Sequence, residues 1–125
     1  MIKIKVKIED EKFKFLSEAD EIAFYEIVAR DIKPIWQAWD VMRGEGWSDF
    51  GREDGYINYA KPENAEDELE IALYQHDWYY QMSDDYRYYQ AGKHSWERIL
   101  DLMKKVGEPK AKELYEKYSP FKEYK

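Results

Sequence analysis

The chain contains no cysteine and no threonine, and only two histidines, His76 and His94. The first absence excludes disulfide frameworks, thiol nucleophiles and cysteine-based zinc or iron–sulfur sites. The second leaves Ser17, Ser48, Ser83, Ser95 and Ser119 as the aliphatic hydroxyls, none of them in a Gly-x-Ser-x-Gly elbow. No stretch approaches the roughly 18 consecutive apolar residues of a membrane span. The opening residues alternate with lysine and lack the apolar core of a signal peptide. The expectation is a soluble, cytoplasmic protein. At 125 residues and 15.2 kDa the chain suits one domain spanning 1–125, because domains commonly run about 100–200 residues.

Aromatic and acidic residues are abundant instead. Five Trp, twelve Tyr and five Phe contribute to a 44% hydrophobic chain, enough to build a core, so a disordered chain is excluded. The formal net charge of −7 is unevenly spread: −1 over residues 1–39, −10 over 40–85 and +4 over 86–125. A net-negative surface repels nucleic acid unless basic groups gather on one face.

Ile2, Ile4, Val6 and Ile8 alternate with Lys3, Lys5 and Lys7, the period of a half-buried strand. The alternation resumes as Phe13-Lys14-Phe15. A loop at Asp10-Glu11 would oppose Ile8 to Phe13 and Val6 to Phe15, putting the apolar groups on one face. That register also opposes Lys7 to Lys14, an unfavourable pair that a bulge would relieve. Ser17 is placed to cap a helix whose apolar stripe runs through Phe24, Ile27, Val28, Ile32, Ile35, Trp36 and Trp39, with Pro34 kinking or dividing it. Glycines from Gly44 to Gly55 mark a loop leading to Tyr56–Tyr59, a third strand. Asn64 caps a second helical tract, with Ser83 or Asp84 interrupting it and Gly92 ending it. A third helix carries Trp96, Ile99, Leu100 and Met103 and stops at Gly107. A last one, opened by Pro109, turns Ala111, Leu114, Tyr115 and Tyr118 inward. The expected fold is α+β: an N-terminal β-hairpin in a small antiparallel sheet packed against three to five helices.

Few residues carry recognisable chemistry. Gly44-Glu45-Gly46 lacks the third glycine of a dinucleotide fingerprint, and Gly51 occupies a position where an EF-hand loop starting at Asp49 needs an oxygen ligand. His76, Asp77, Asp84, Asp85 and His94 would form a metal site only if the chain turned near Ser83. No pair among them has the i, i+4 spacing that shares a helical face, so no metal or other cofactor is expected. The stretch from His76 to Tyr89 is the most unusual, with more ring area than one helix face buries. Trp78, Tyr79, Tyr80, Tyr86 and Tyr88 are of the types enriched in binding hot spots, flanked by Asp84, Asp85 and Arg87. Glu66 and Asp67 belong to an acidic block, Glu63–Glu70, which either imitates a run of phosphates or forms a solvated helix start. Lys3, Lys5, Lys7 and Lys14 line a strand face that would meet phosphates or discourage edge pairing.

Trp78-Tyr79-Tyr80 with Met82-Ser83-Asp84-Asp85 resembles tracts in small uncharacterised proteins of phages and mobile elements. The resemblance implies a non-catalytic accessory or counter-defence role, in which an acidic surface occupies a host protein's basic groove. The leading expectation is therefore a non-catalytic acidic interaction protein. Trp78, Tyr79, Tyr80, Asp84, Asp85, Tyr86, Arg87, Tyr88, Glu66 and Asp67 would bind, and so inhibit, a protein partner. The alternative is a small-ligand or nucleotide-binding module that stacks a base on the tyrosines with Arg87, Lys93 or Arg98 at its phosphate. The ring surplus also suits a homo-oligomer interface.

Overall fold

A computed structural model describes the backbone of residues 1–82 and 96–118, and the side chains of 1–76 and 96–118. It divides into two compact units, Met1–Lys61 and Pro62–Lys125, each with its own core. The first runs β1 (Ile2–Glu9), β2 (Lys12–Phe15), α1 (Glu18–Tyr25), α2 (Gln37–Gly44), β3 (Ser48–Glu53) and β4 (Tyr56–Lys61). The second holds α3 (Ala65–Met82), α4 (Trp96–Val106) and α5 (Lys110–Tyr118). A four-stranded antiparallel sheet and five helices among the described residues make the fold α+β, as the alternation and capping signals imply.

The sheet order is β2-β1-β4-β3. The β1–β2 register is the expected one, with Val6 opposite Phe15, Lys7 opposite Lys14 and Ile8 opposite Phe13. Asp10 and Glu11 form the two-residue turn, both at positive φ (53° and 60°), which matches the twist of the strands it joins. No bulge separates Lys7 from Lys14. Instead Lys7 Nζ lies 3.1 Å from a Glu9 carboxylate oxygen and 4.6 Å from the centre of the Tyr56 ring.

Alternation in β1 buries Ile4 and Val6 on one face, where Phe24 and Val28, Ala38 and Met42 of α2, Trp47 and Tyr59 complete the core. Phe24 is fully enclosed, which stabilises the unit by about 1.5–3 kcal/mol. Phe13 and Phe15 reach the same core, with ring centres 4.8 and 5.3 Å from Phe24. Ser17 caps α1 as expected, its Oγ accepting from the Asp20 N–H at 3.1 Å.

In the first unit three local expectations need correction. The helical stripe is divided, but α1 ends at Tyr25, well before Pro34, and α2 begins at Gln37. Trp36, counted in the inward stripe, is 56% exposed, because the intervening turns change the phase of the helix that follows. The glycine-rich stretch is not all loop: Ser48–Glu53 pairs with β4 around an Asp54-Gly55 turn, with a register shift between Asp49 and Arg52.

In the second unit Asn64 Oδ1 accepts from the Asp67 N–H at 2.9 Å, the cap anticipated for α3. Leu69, Ala72 and Leu73 of α3 pack with Ile99 and Leu102 of α4 and with Ala111 and Leu114 of α5. Leu100 is exposed rather than inward, since Ile99, Leu102, Met103 and Val106 set the buried face. Gly107, at φ 77°, closes α4 by donating its N–H to the Met103 carbonyl. Expected interruptions at Ser83, Asp84 and Gly92 lie outside the described residues.

Glu11 occupies a left-handed conformation that disfavours a side chain. Glu11→Gly is expected to stabilise the protein by about 0.5–1 kcal/mol, read from the urea midpoint. Burial pushes the Tyr59 phenol up to about 12 from 10.0. The folded state therefore holds that proton more tightly; the contribution is whole below pH 10 and disappears as pH rises through about 12. Over that interval the wild type is expected to lose about 2–3 kcal/mol more than Tyr59→Phe, by urea unfolding at matched pH.

Candidate functional site

The segment that follows α1 builds a cleft against the tip of the hairpin. Val28 donates its N–H to the Phe24 carbonyl, continuing the turn and burying its own side chain, and Ile32 donates to Ala29. This brings the Arg30 guanidinium over the Tyr25 ring, 4.1 Å from its centre, a cation–π contact. The Tyr25 ring in turn stands edge-on to Phe13 and Phe15. Beyond Pro34, whose carbonyl accepts from Gln37, α2 begins.

The resulting cleft encloses about 590 Å³. Phe13, Tyr25, Ile32, Pro34 and Ile35 give it an apolar lining, and Glu11, Lys12, Arg30, Asp31 and Lys33 give it charges of both signs. Burial raises the Tyr25 phenol above its usual value despite the nearby Arg30, so at neutral pH it remains a hydrogen-bond donor. A second, shallower depression of about 520 Å³ lies along Phe13–Ser17 and the first turns of α1. Such surfaces suit an apolar side chain or ring with charged neighbours, the composition of a binding cleft.

The outer face of the sheet is different. Lys5 Nζ donates to Glu53 at 2.9 Å, and Lys3 lies over Phe50 at 5.4 Å. The Glu53 hydrogen bond raises the Lys5 amine and lowers the Glu53 carboxyl, while Glu9 raises Lys7. Lys5 and Lys7 are thus already matched by carboxylates. Asn58, opposite Lys5, has a buried side-chain oxygen with no hydrogen-bond partner among the described residues.

The sequence-nominated residues are placed as follows. Trp78, Tyr79 and Tyr80 belong to the α3 backbone, and their side chains lie outside the described ones. Asp84, Asp85, Tyr86, Arg87 and Tyr88 lie outside the described residues, as do Lys93 and His94. Glu66 meets Lys110 at 3.4 Å, and Asp67 accepts from the Glu63 N–H at 3.0 Å, the role of a helix start. Farther along the acidic block, Glu68 accepts from Arg98 at 3.0 Å. Glu70 accepts from Lys117 at 3.3 Å and from the Tyr118 hydroxyl at 2.6 Å. Among the described residues no group of three or more His, Asp or Glu side chains is arranged to hold a metal ion. Sequence reasoning missed the cleft altogether. Its signal was present in Tyr25 followed by Arg30 and Lys33, but a cation five residues from a ring becomes its neighbour only when the helix ends between them.

Comparison with protein-family models, curated proteins and solved structures gave no match.

Burial and the Glu70 hydrogen bond both raise the Tyr118 phenol. Glu70→Ala should lose that charge-assisted bond and the Lys117 contact together, lowering stability by about 1.5–3 kcal/mol in thermal or urea unfolding.

Proposed function

We infer that this is a non-catalytic binding protein that grips another protein through the hairpin–loop cleft of its first unit. The observation that carries the reading is the Arg30 guanidinium laid on Tyr25 above an apolar lining. Trp36 stands exposed immediately beyond Ile35. Tyr, Trp and Arg around a partly dry recess are the residue types and setting in which a few contacts dominate affinity. Charge at the rim would steer encounter, and the rings would supply most of the hold. Inhibition follows where the surface so covered is the partner's own working groove.

The acidic block is a weaker anchor for such a partner, because Glu66, Glu68 and Glu70 already face cations of α4 and α5. An incoming basic groove would have to displace those contacts before gaining its own.

The test is affinity capture from a lysate of the source cells at rising salt, comparing the wild type with Arg30→Glu/Lys33→Glu. Both positions are exposed, so the fold should be retained. A salt-sensitive partner held by the wild type and weakened about tenfold or more by the variant is expected. Identical captured proteins on both baits would overturn the reading. The same ring and guanidinium also suit a base and its phosphate. A thermal shift with ATP that Arg30→Glu abolishes would replace the protein partner with a nucleotide.

A further inference from the structure

We propose that the outer edge of β2 is a strand-addition site for an extended peptide of the partner, with acidic residues alternating with apolar ones. This rests on the protein-binding reading and deepens it.

In a hairpin closed by a two-residue turn, Glu9 and Lys12 exchange backbone hydrogen bonds, and the bonded pairs then recur at every second position. Lys7 and Lys14 form the next such pair, so Phe13 and Phe15 direct their N–H and C=O groups away from β1. Those groups take no hydrogen bond from any other described residue. Elsewhere the sheet protects its margins. The Lys5 N–H, on the β2 side of β1 but beyond the hairpin, is held by an Asp20 carboxylate oxygen at 3.3 Å. The opposite edge, β3, is broken by its register shift, with Gly51 at φ 106° and its N–H turned to the Asp49 side chain at 3.1 Å. β2 alone keeps a regular, outward-facing edge, and the cleft and the shallower depression meet along it at Phe13.

Charge selects the occupant. A second copy paired antiparallel in the register centred on Lys14 would set that lysine against itself. The register centred on Phe13 would set Lys12 against Lys14 twice. Like charges directly opposite disfavour both. A peptide with carboxylates at those positions turns the same two lysines into attraction. Its alternate residues then fall on the Phe13 and Phe15 side, toward the cleft lined by Tyr25 and Ile35. Glu18 and Glu21 border the shallower depression, so the peptide should carry a basic residue at the end lying past Phe15.

The experiment uses the full chain and a capped peptide alternating glutamate with valine and phenylalanine and ending in lysine. Two control peptides have lysine in place of every glutamate, or N-methyl groups on alternate amides. Amide hydrogen exchange at Phe13 and Phe15 is followed by NMR. Saturating acidic peptide is expected to slow exchange at both by about tenfold or more. The lysine peptide should bind about tenfold more weakly, and Lys12→Glu/Lys14→Glu should reverse the order of the two. The N-methylated peptide should give no protection. Absence of protection at Phe13 and Phe15, or equal binding of the charged peptides, overturns the proposal. Protection that grows with protein concentration and no peptide also overturns it, in favour of a second copy. Loss of the captured partner in Arg30→Glu/Lys33→Glu with no peptide protection would leave protein binding standing and remove strand addition alone.

Discussion

Val6 is paired on both sides, to Phe15 of β2 and to Ile57 of β4, and has no exposed surface. The rest of the first unit depends on that doubly shared position. β1 meets β4 over Ile2–Val6 and β2 over Val6–Glu9, so a slip of one residue would break both pairings and turn Ile4 and Val6 to the lysine side. Alternation therefore fixes which face the helices cover and which face carries the cations. It also fixes which backbone groups of β2 point outward, because bonded and unbonded pairs alternate from the same turn. The proposed binding surface is in this sense a by-product of core packing: Phe13 and Phe15 are held in place by Phe24 from one side and leave their main chains open on the other.

The second unit is governed by a different constraint. Its long helix opens with Glu66, Asp67, Glu68 and Glu70, while the cations Arg98, Lys110 and Lys117 come from α4 and α5. The large charge imbalance along the chain is thus partly cancelled in space. Each contact is exposed or half-exposed and individually worth little. Their collective effect is on alignment: three cations from two helices favour one arrangement of those helices against α3, whereas Leu69, Leu73, Ile99, Leu102 and Leu114 supply the burial. Rings follow the same division. Trp96 packs against His76 and Tyr115, and Tyr118 against Tyr74, while a separate set surrounds Phe24. Among the described residues the rings are thus shared between two separate cores.

What was legible in the sequence was whatever rests on local period and local caps. The hairpin register follows from Ile4, Val6, Phe13 and Phe15, and the helix starts from Ser17 and Asn64, whose side chains bond groups three residues away. β3 was overlooked because Ser48-Asp49-Phe50-Gly51-Arg52 has neither alternation nor β-branched residues. Asp54-Gly55, a strong hairpin signal, was nevertheless there to be read. The pairing of Glu68 with Arg98, thirty residues apart, is set by helix packing and has no local signature. The cleft was hidden for a related reason. Extending one helical stripe through Val28 to Trp39 assigns Tyr25, Arg30 and Trp36 to positions on a continuous cylinder, and the turns after Tyr25 cancel that geometry.

The hairpin tip combines two features that a sequence optimised only for folding would not choose. Asp10 and Glu11 both sit at positive φ, where Asn-Gly would relieve strain, and the adjoining strand leaves its outer edge unpaired. Lys12 and Lys14 explain how such an edge is tolerated, since they penalise its pairing with a second copy while leaving its hydrogen-bonding groups intact. A bulge or a proline would have protected it more completely, as the irregularity in β3 does on the other side of the sheet. Protection by charge differs from protection by geometry in one respect: it can be reversed by a strand of opposite sign. Backbone groups then supply the hold without reading sequence, while the lysines and the aromatic recess discriminate among strands.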